Sequence, residues 1–381
     1  MVMPTKYDVF AKVVEKSPCK QKELGFKKPI YAHVNSLVRT GWIKKLSNGI
    51  LVPIKNEETK KIFDILKWSL KNNINYNYFF SDNMKKVVFS ISKTLPRLNP
   101  KELAGNKKNK EIVGFLEENQ FILSWKRSPK LGLILNHTIL NLIAEKKIQE
   151  KFLSFNEISK KILILIKKEI NPFDKKIFEF LASSAQLEGS TVSIGETVEL
   201  ILHSVYPDKP AEDIQMVKNL NEAMIYVLEN VNEDLTLKHL KEINRICLFS
   251  LDKRAGEFKK VQNKIFGNPN FKPTPPGKVV EELSLFCKEF NNIKSRKECL
   301  KKIGFIHNQH QRIHAFSDGN SRTTRLLVNW LLIKFNFPIL ILKTGAFEKY
   351  MGLTKLSTKR DDDFLRDFIL HVIYHEEIVG G

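Results

Sequence analysis

Thirteen residues constrain this chain more than any other stretch: Ile313-His314-Ala315-Phe316-Ser317-Asp318-Gly319-Asn320-Ser321-Arg322-Thr323-Thr324-Arg325. Ahead of them, Leu300, Ile303, Ile306, His310 and Ile313 recur at spacings of three and four, which predicts a helix over 299–313. Ser317 to Asn320 break that helix. A second one follows at once, carrying Leu326, Leu327, Trp330, Leu331 and Leu332. Its first turn is built from Gly, Asn and Ser, so a ligand can approach N–H groups that lack intrahelical partners, which makes an anion site. Arg322 and Arg325 share one helix face and can close over the same anion. Asp318 would repel a bare phosphate, so its presence implies a divalent cation bridging the two. His314 can take a proton from an attacking hydroxyl. Base, carboxylate, helix N-terminus and two guanidiniums together point to phosphoryl or nucleotidyl transfer.

The pattern His-x-Phe-x-Asp-Gly-Asn-x-Arg-x-x-Arg resembles the Fic motif, found in enzymes that move AMP from ATP onto a protein hydroxyl. The resemblance implies a mainly α protein, with an all-helical Fic domain that carries a β-hairpin flap. It implies ATP as substrate with Mg²⁺ held by Asp318, and His314 as the base for attack on the α-phosphorus. Gly319, Asn320 and Ser321 would cradle the phosphates, Arg322 would hold the β-phosphate region, and Arg325 the γ. Two positions depart from the family pattern: Ala315 stands where Pro is usual, and Ser321 where Gly is usual. Ser321 adds a side chain where backbone should meet phosphate, which narrows the pocket, adds a donor or shifts the nucleotide preference.

Upstream, Ser184-x-x-x-Glu188-Gly189 resembles the family's inhibitory motif, with Glu188 pairing to Arg325 and withholding it from the terminal phosphates. Arg254 to Lys259 and Val261 to Ile265 resemble the segment preceding the family's hairpin flap, and Phe271 to Gly277 its close; the flap lines up a target backbone as an added strand. The expected function is therefore a protein adenylyltransferase, autoinhibited by Glu188, acting on a Ser, Thr or Tyr hydroxyl of a protein, the chain itself included. Two alternatives stand beside it. One is a Fic-type deAMPylase in which Glu188 orients a water. The other is a DNA-binding regulator whose Fic domain senses a nucleotide with little chemistry.

The net charge of +21 is concentrated in the first half. Residues 1–170 hold 33 Lys and Arg against 15 Asp and Glu, so a nucleic-acid partner is sought there. Helical patterns over 7–16, 21–25 and from Pro29, then two short apolar runs about Asn48-Gly49, predict a winged helix-turn-helix at 1–60. Its third helix would offer Lys27, Lys28, Tyr31, Asn35 and Arg39 to a DNA groove. A fainter copy of that order marks 78–136 as a candidate second winged-helix-like module. Connecting helices at 137–170 lead to the Fic domain at 171–381, whose inhibitory helix lies around 175–189.

Cys19, Cys247, Cys287 and Cys299 have no paired spacing, so neither a zinc cluster nor a disulfide framework is indicated, and reduced thiols in a cytoplasmic protein are expected. No stretch is long and apolar enough to suggest a membrane partner. A homodimer is among the expected assemblies. His307, His310 and His314 share one helix face, but no Cys or carboxylate completes a zinc set on it.

Overall fold

The computed structural model describes residues 4–167, 170–265 and 267–379, and these form two compact units, Met1–Met84 and Lys85–Gly381. Lys168 and Glu169, at the expected start of the Fic domain, lie outside the described residues.

In the first unit, α1 (Lys6–Lys16) starts in a capping box between Thr5 and Asp8. Strand β1 (Cys19–Lys20) and a 3₁₀ turn at Gln21–Leu24 lead to α2 (Tyr31–Arg39). Strands β2 (Ile43–Lys45) and β3 (Ile50–Pro53) then form a hairpin, with Lys45 opposite Leu51. The sheet is antiparallel, ordered β1-β3-β2; β1 has only two residues and left no periodicity to read. Phe10, Val13, Val34, Leu37, Trp42 and Leu51 close the core. The unit continues past residue 60 through α3 (Glu57–Lys71), and Tyr76 returns to α1, donating its hydroxyl to Asp8 at 2.6 Å.

The second unit opens within α4 (Asp82–Thr94), followed by α5 (Lys101–Ala104), α6 (Lys107–Glu118), β4 (Ile122–Lys126) and β5 (Leu131–Ile134). These are the elements expected of a second winged module, in the expected order, but the strands are not an exposed wing. Leu123, Trp125, Leu133 and Leu135 are buried in the same core as the C-terminal helices. Phe121-Ile122-Leu123 is a continuous apolar run, as suits a strand covered on both faces. Polar contacts fix the seam. Ser124 donates its N–H to His375 at 2.9 Å, the Gln120 side chain donates to Ile341 O at 2.9 Å, and Gly345 N–H donates to Asn119 O at 2.8 Å.

Helices α7 (Thr138–Ala144) and α8 (Phe155–Leu163) connect to α9 (Lys175–Gln186), α10 (Ile194–His203), α11 (Ala211–Asn230) and α12 (Leu237–Cys247). After an irregular stretch come α13 (Val279–Asn291), α14 (Arg296–Ile313), α15 (Asn320–Lys334), α16 (Thr344–Leu353) and α17 (Asp362–Val379). Helix α15 is the axis: Asn320 to Leu332 are all buried, beneath α11, α12 and α14. Its Leu-rich second half, Leu326 to Leu332, buries apolar side chains on every face, while its polar first half, Asn320 to Arg325, is buried at the site. Helix α14 presses against α17 so closely at Gly304 that a Cβ there would sit 2.0 Å from Asp362 O. The segment expected to form a hairpin flap makes a single antiparallel bridge, Phe258 with Phe316, and among the described residues has no ladder of its own. Pro273, Pro275 and Pro276 lack the N–H groups such a ladder requires. No helix among the described residues is long and apolar enough to cross a membrane.

Candidate active site

The site is a short loop between α14 and α15, braced from several sides. Helix α14 ends on His314 in a left-handed conformation, φ 47°. Asn320 reaches back with its whole amide, accepting from Phe316 N–H at 3.0 Å and donating to Phe316 O at 2.8 Å. Its side chain, expected on a phosphate, is therefore engaged in the loop, and what it offers a ligand is backbone N–H. Asn244 on α12 donates to Asp318 O at 3.0 Å and accepts from Gly256 N–H at 3.0 Å. Asn263 donates to Phe316 O at 2.8 Å, and Lys259 N–H to Ala315 O at 2.8 Å. Gly319 caps α15 at φ 74°, and a Cβ there would lie 2.8 Å from Asn244 Nδ2. Only glycine fits both constraints. Among the described residues no side chain caps α15, so its first-turn N–H groups face the site.

His314 is 7% exposed and lines a cavity of about 580 Å³ with Ser317, Lys259 and the 254–264 segment. Its Nδ1 lies 3.3 Å from Gln311 O. A carbonyl only accepts, so the proton resides on Nδ1 and Nε2 keeps its lone pair. Burial, helped by the Lys355 and Lys259 charges, brings the imidazole down to about 4. Lys259 donates its ammonium to Ile313 O at 3.2 Å, and burial lowers it to about 8.

The charged groups sit on the other side of the loop. Asp318 keeps its side chain 63% exposed, accepting from Gly319 N–H at 2.6 Å and pairing with Arg322 Nη2 at 3.1 Å. Arg325 is buried and fully engaged. Its Nε donates to Ser184 Oγ at 2.8 Å, and Nη2 donates to Ser184 O at 2.9 Å and Glu188 Oε1 at 2.8 Å. Burial opposes ionisation of Glu188, but the Arg325 guanidinium, with Lys355 and Arg322, holds it below the usual carboxylate range. Gly189, φ 103°, lets the chain turn away just past this pair. Among the described residues, Ser321 Oγ and Arg322 Nε and Nη1 are buried without hydrogen-bond partners, so donors stand ready where an anion would sit.

The two upstream histidines are structural. His307 Nε2 bonds Tyr350 Oη at 2.7 Å and His310 Nδ1 bonds Thr324 Oγ1 at 2.7 Å, and burial drives both to about 3. No group of three His, Cys, Asp or Glu that could hold a metal exists among the described residues. Asp318, with its side chain 63% exposed beside the α15 N-terminus, is the carboxylate that would hold Mg²⁺, which takes one or two carboxylates plus substrate phosphates. In the first unit, Lys27, Tyr31, Asn35 and Arg39 are exposed, and Lys28 is partly covered. Asn244, Lys259, Tyr350 and Lys355 belong to the site and escaped sequence reading, because no motif spacing ties them to residues 313–325.

Residues 234–332 match the Fic/DOC family. The chain is 25% identical over 309 residues to a protein named Protein adenylyltransferase Fic from Aedes aegypti, across 77% of this chain and 54% of that one. It is 30% identical over 196 residues to the protein of that name from Culex quinquefasciatus, across 49% of this chain and 37% of that one. It thus spans about half or less of the length of these curated relatives. Among solved structures it resembles Fic-1 from C. elegans, with 16% identity, a TM-score of 0.48, and coverage of 84% of this chain and 86% of that one.

Proposed function

From the premise that the chain carries a Fic/DOC family domain at residues 234–332, we propose that it is a protein adenylyltransferase held idle by Glu188. The observation that carries this reading is the Arg325–Glu188 pair at 2.8 Å, made by the helix whose uncapped N-terminus follows the loop from His314. The curated relatives named for this activity support it.

ATP is the substrate, with its phosphates over the N–H groups of Gly319 to Ser321 and against Arg322. Arg325 takes the γ end once Glu188 withdraws. His314 Nε2 accepts the proton of a protein hydroxyl as that oxygen attacks the α-phosphorus, and diphosphate leaves. Most of the acceleration comes from positioning and fixed charge. Mg²⁺ on Asp318 would neutralise phosphate charge. Ser184 and Gly189 belong to the inhibitory device: the first grips Arg325, and the second ends the segment that presents Glu188. Four buried free cysteines suit a reducing cytoplasm. The first unit is a winged helix-turn-helix reader of DNA through Lys27, Lys28, Tyr31, Asn35 and Arg39, which couples the enzyme to DNA.

The test is incubation with α-labelled ATP and a cell lysate. Label on protein vanishes in His314→Ala and rises at least about tenfold in Glu188→Gly, the size expected for freeing a sheltered guanidinium. Equal labelling in all three forms would refute the proposal. Release of AMP from modified protein that depends on Glu188 would instead favour the reverse reaction.

A further inference from the structure

Lys355 lies two residues beyond α16, outside the motif and outside the inhibitory segment. Its backbone is fixed: Asn268 donates to Lys355 O at 2.9 Å, and one turn earlier Tyr350 is buried against His307. The side chain points into the charged centre. Its ammonium lies within electrostatic reach of Glu188, Asp318, Arg322 and Arg325, and of His314. Yet among the described residues it makes no hydrogen bond and no close ion pair, unlike Arg325, which makes three. A cation that is partly withdrawn from water and set among charges, but bonded to none, is poised to take an anion.

The charge balance says which anion. Among the groups that act on Lys355, Arg322, Arg325 and Lys355 itself face Asp318 and Glu188, a net of +1, while Lys259 is held apart beside His314 on Ile313 O. Withdrawal of Glu188 leaves +2, which offsets the charge of about −2 on a nucleoside triphosphate carrying one divalent cation. Without Lys355 the two motif arginines and Asp318 supply only +1.

We propose that Lys355 is a specificity-determining residue of the nucleotide site, a third cation that selects a triphosphate over a monophosphate and, in the idle state, steadies Glu188. This rests on the transferase reading above and names the ligand class it requires.

The experiment is calorimetric titration of the full chain carrying Glu188→Gly, with Mg·ATP and with AMP, at low and at high salt. The Glu188→Gly background removes any effect of Lys355 on the inhibitory carboxylate. Adding Lys355→Met should weaken Mg·ATP binding about tenfold or more, the usual size for a lost charged contact. AMP binding should stay within about twofold, and the loss should shrink at high salt. Lys355→Arg should restore most of the affinity, and its melting curve separates binding loss from misfolding. Equal weakening for ATP and AMP, or no weakening of either, overturns the role of Lys355 while leaving the transferase reading intact. Failure of the Glu188→Gly chain itself to bind Mg·ATP would overturn both.

Discussion

At the scale of single residues, His314 decides how the proposed transferase answers to acidity. Its burial keeps the imidazole neutral down to about 4, so the base stays competent far below the 6.5 of a free histidine. Protonation disables it, and that proton binds only when the pH falls through the lowered value. The rate of AMP transfer by the Glu188→Gly form, corrected for substrate binding, should therefore be flat with respect to this group from pH 8 to about 5. A profile with a midpoint near 6.5 would show an ordinary, solvated imidazole instead. His314, Asp318, Arg322 and Arg325 were all readable, because their types recur at fixed offsets in one short stretch. Lys355, Asn244 and Lys259 were not. Each is one polar residue in a chain rich in Lys and Asn, brought to the site from a different element by the fold.

Among elements, the crossing of α14 and α17 shows how a small residue sets the geometry of a site some ten residues away. Gly304 gives α14 a flat patch; a Cβ would meet Asp362 O at 2.0 Å and Arg366 N at 2.8 Å, both backbone atoms that cannot step aside. Gly304→Ala should destabilise the chain by about 1–3 kcal/mol, the cost of overpacking, or displace α14 and with it His314. Gly114 in α6 has nothing within 4 Å of its Cβ position, so Gly114→Ala should instead raise the melting temperature slightly, by removing backbone freedom. Thermal denaturation of the pair checks both signs. Helices with strong periodicity, α14 and α15 above all, were legible from spacing. The strands β4 and β5 were legible as strands, but the helix that covers them was not, since α17 lies some 240 residues further along.

For the whole molecule, the seam of Ser124, Gln120 and Gly345 makes residues 85–136 part of the body that carries the candidate site. A fragment of residues 85–381 should stay folded and transfer AMP once Glu188 is replaced. A fragment of 171–381 should aggregate, because it exposes the apolar surface that Leu123, Trp125 and Leu133 cover. Residues 1–84 alone should bind duplex DNA with an affinity that falls steeply as salt rises, by a log–log slope of about −0.9 for each phosphate neutralised. Gel filtration, labelling and salt-series titration read these out. An insoluble 85–381 fragment, a well-folded 171–381 fragment, or DNA binding indifferent to salt would contradict the corresponding claim.

The loop proposed to seat the phosphates holds its shape through peptide groups: Asn320 on Phe316, Asn244 on the carbonyl of Asp318. The carboxylate of Asp318 takes no part in that scaffold beyond its own neighbours Gly319 and Arg322. An exposed acid of this kind changes rotamer in picoseconds to nanoseconds. Exchange of a guanidinium for a hydrated cation at Asp318 thus needs a side-chain pivot and no backbone rearrangement. In the proposed cycle the slow motion left is the retreat of the turn after α9 that bears Glu188, and that is where a controlling signal would have its leverage.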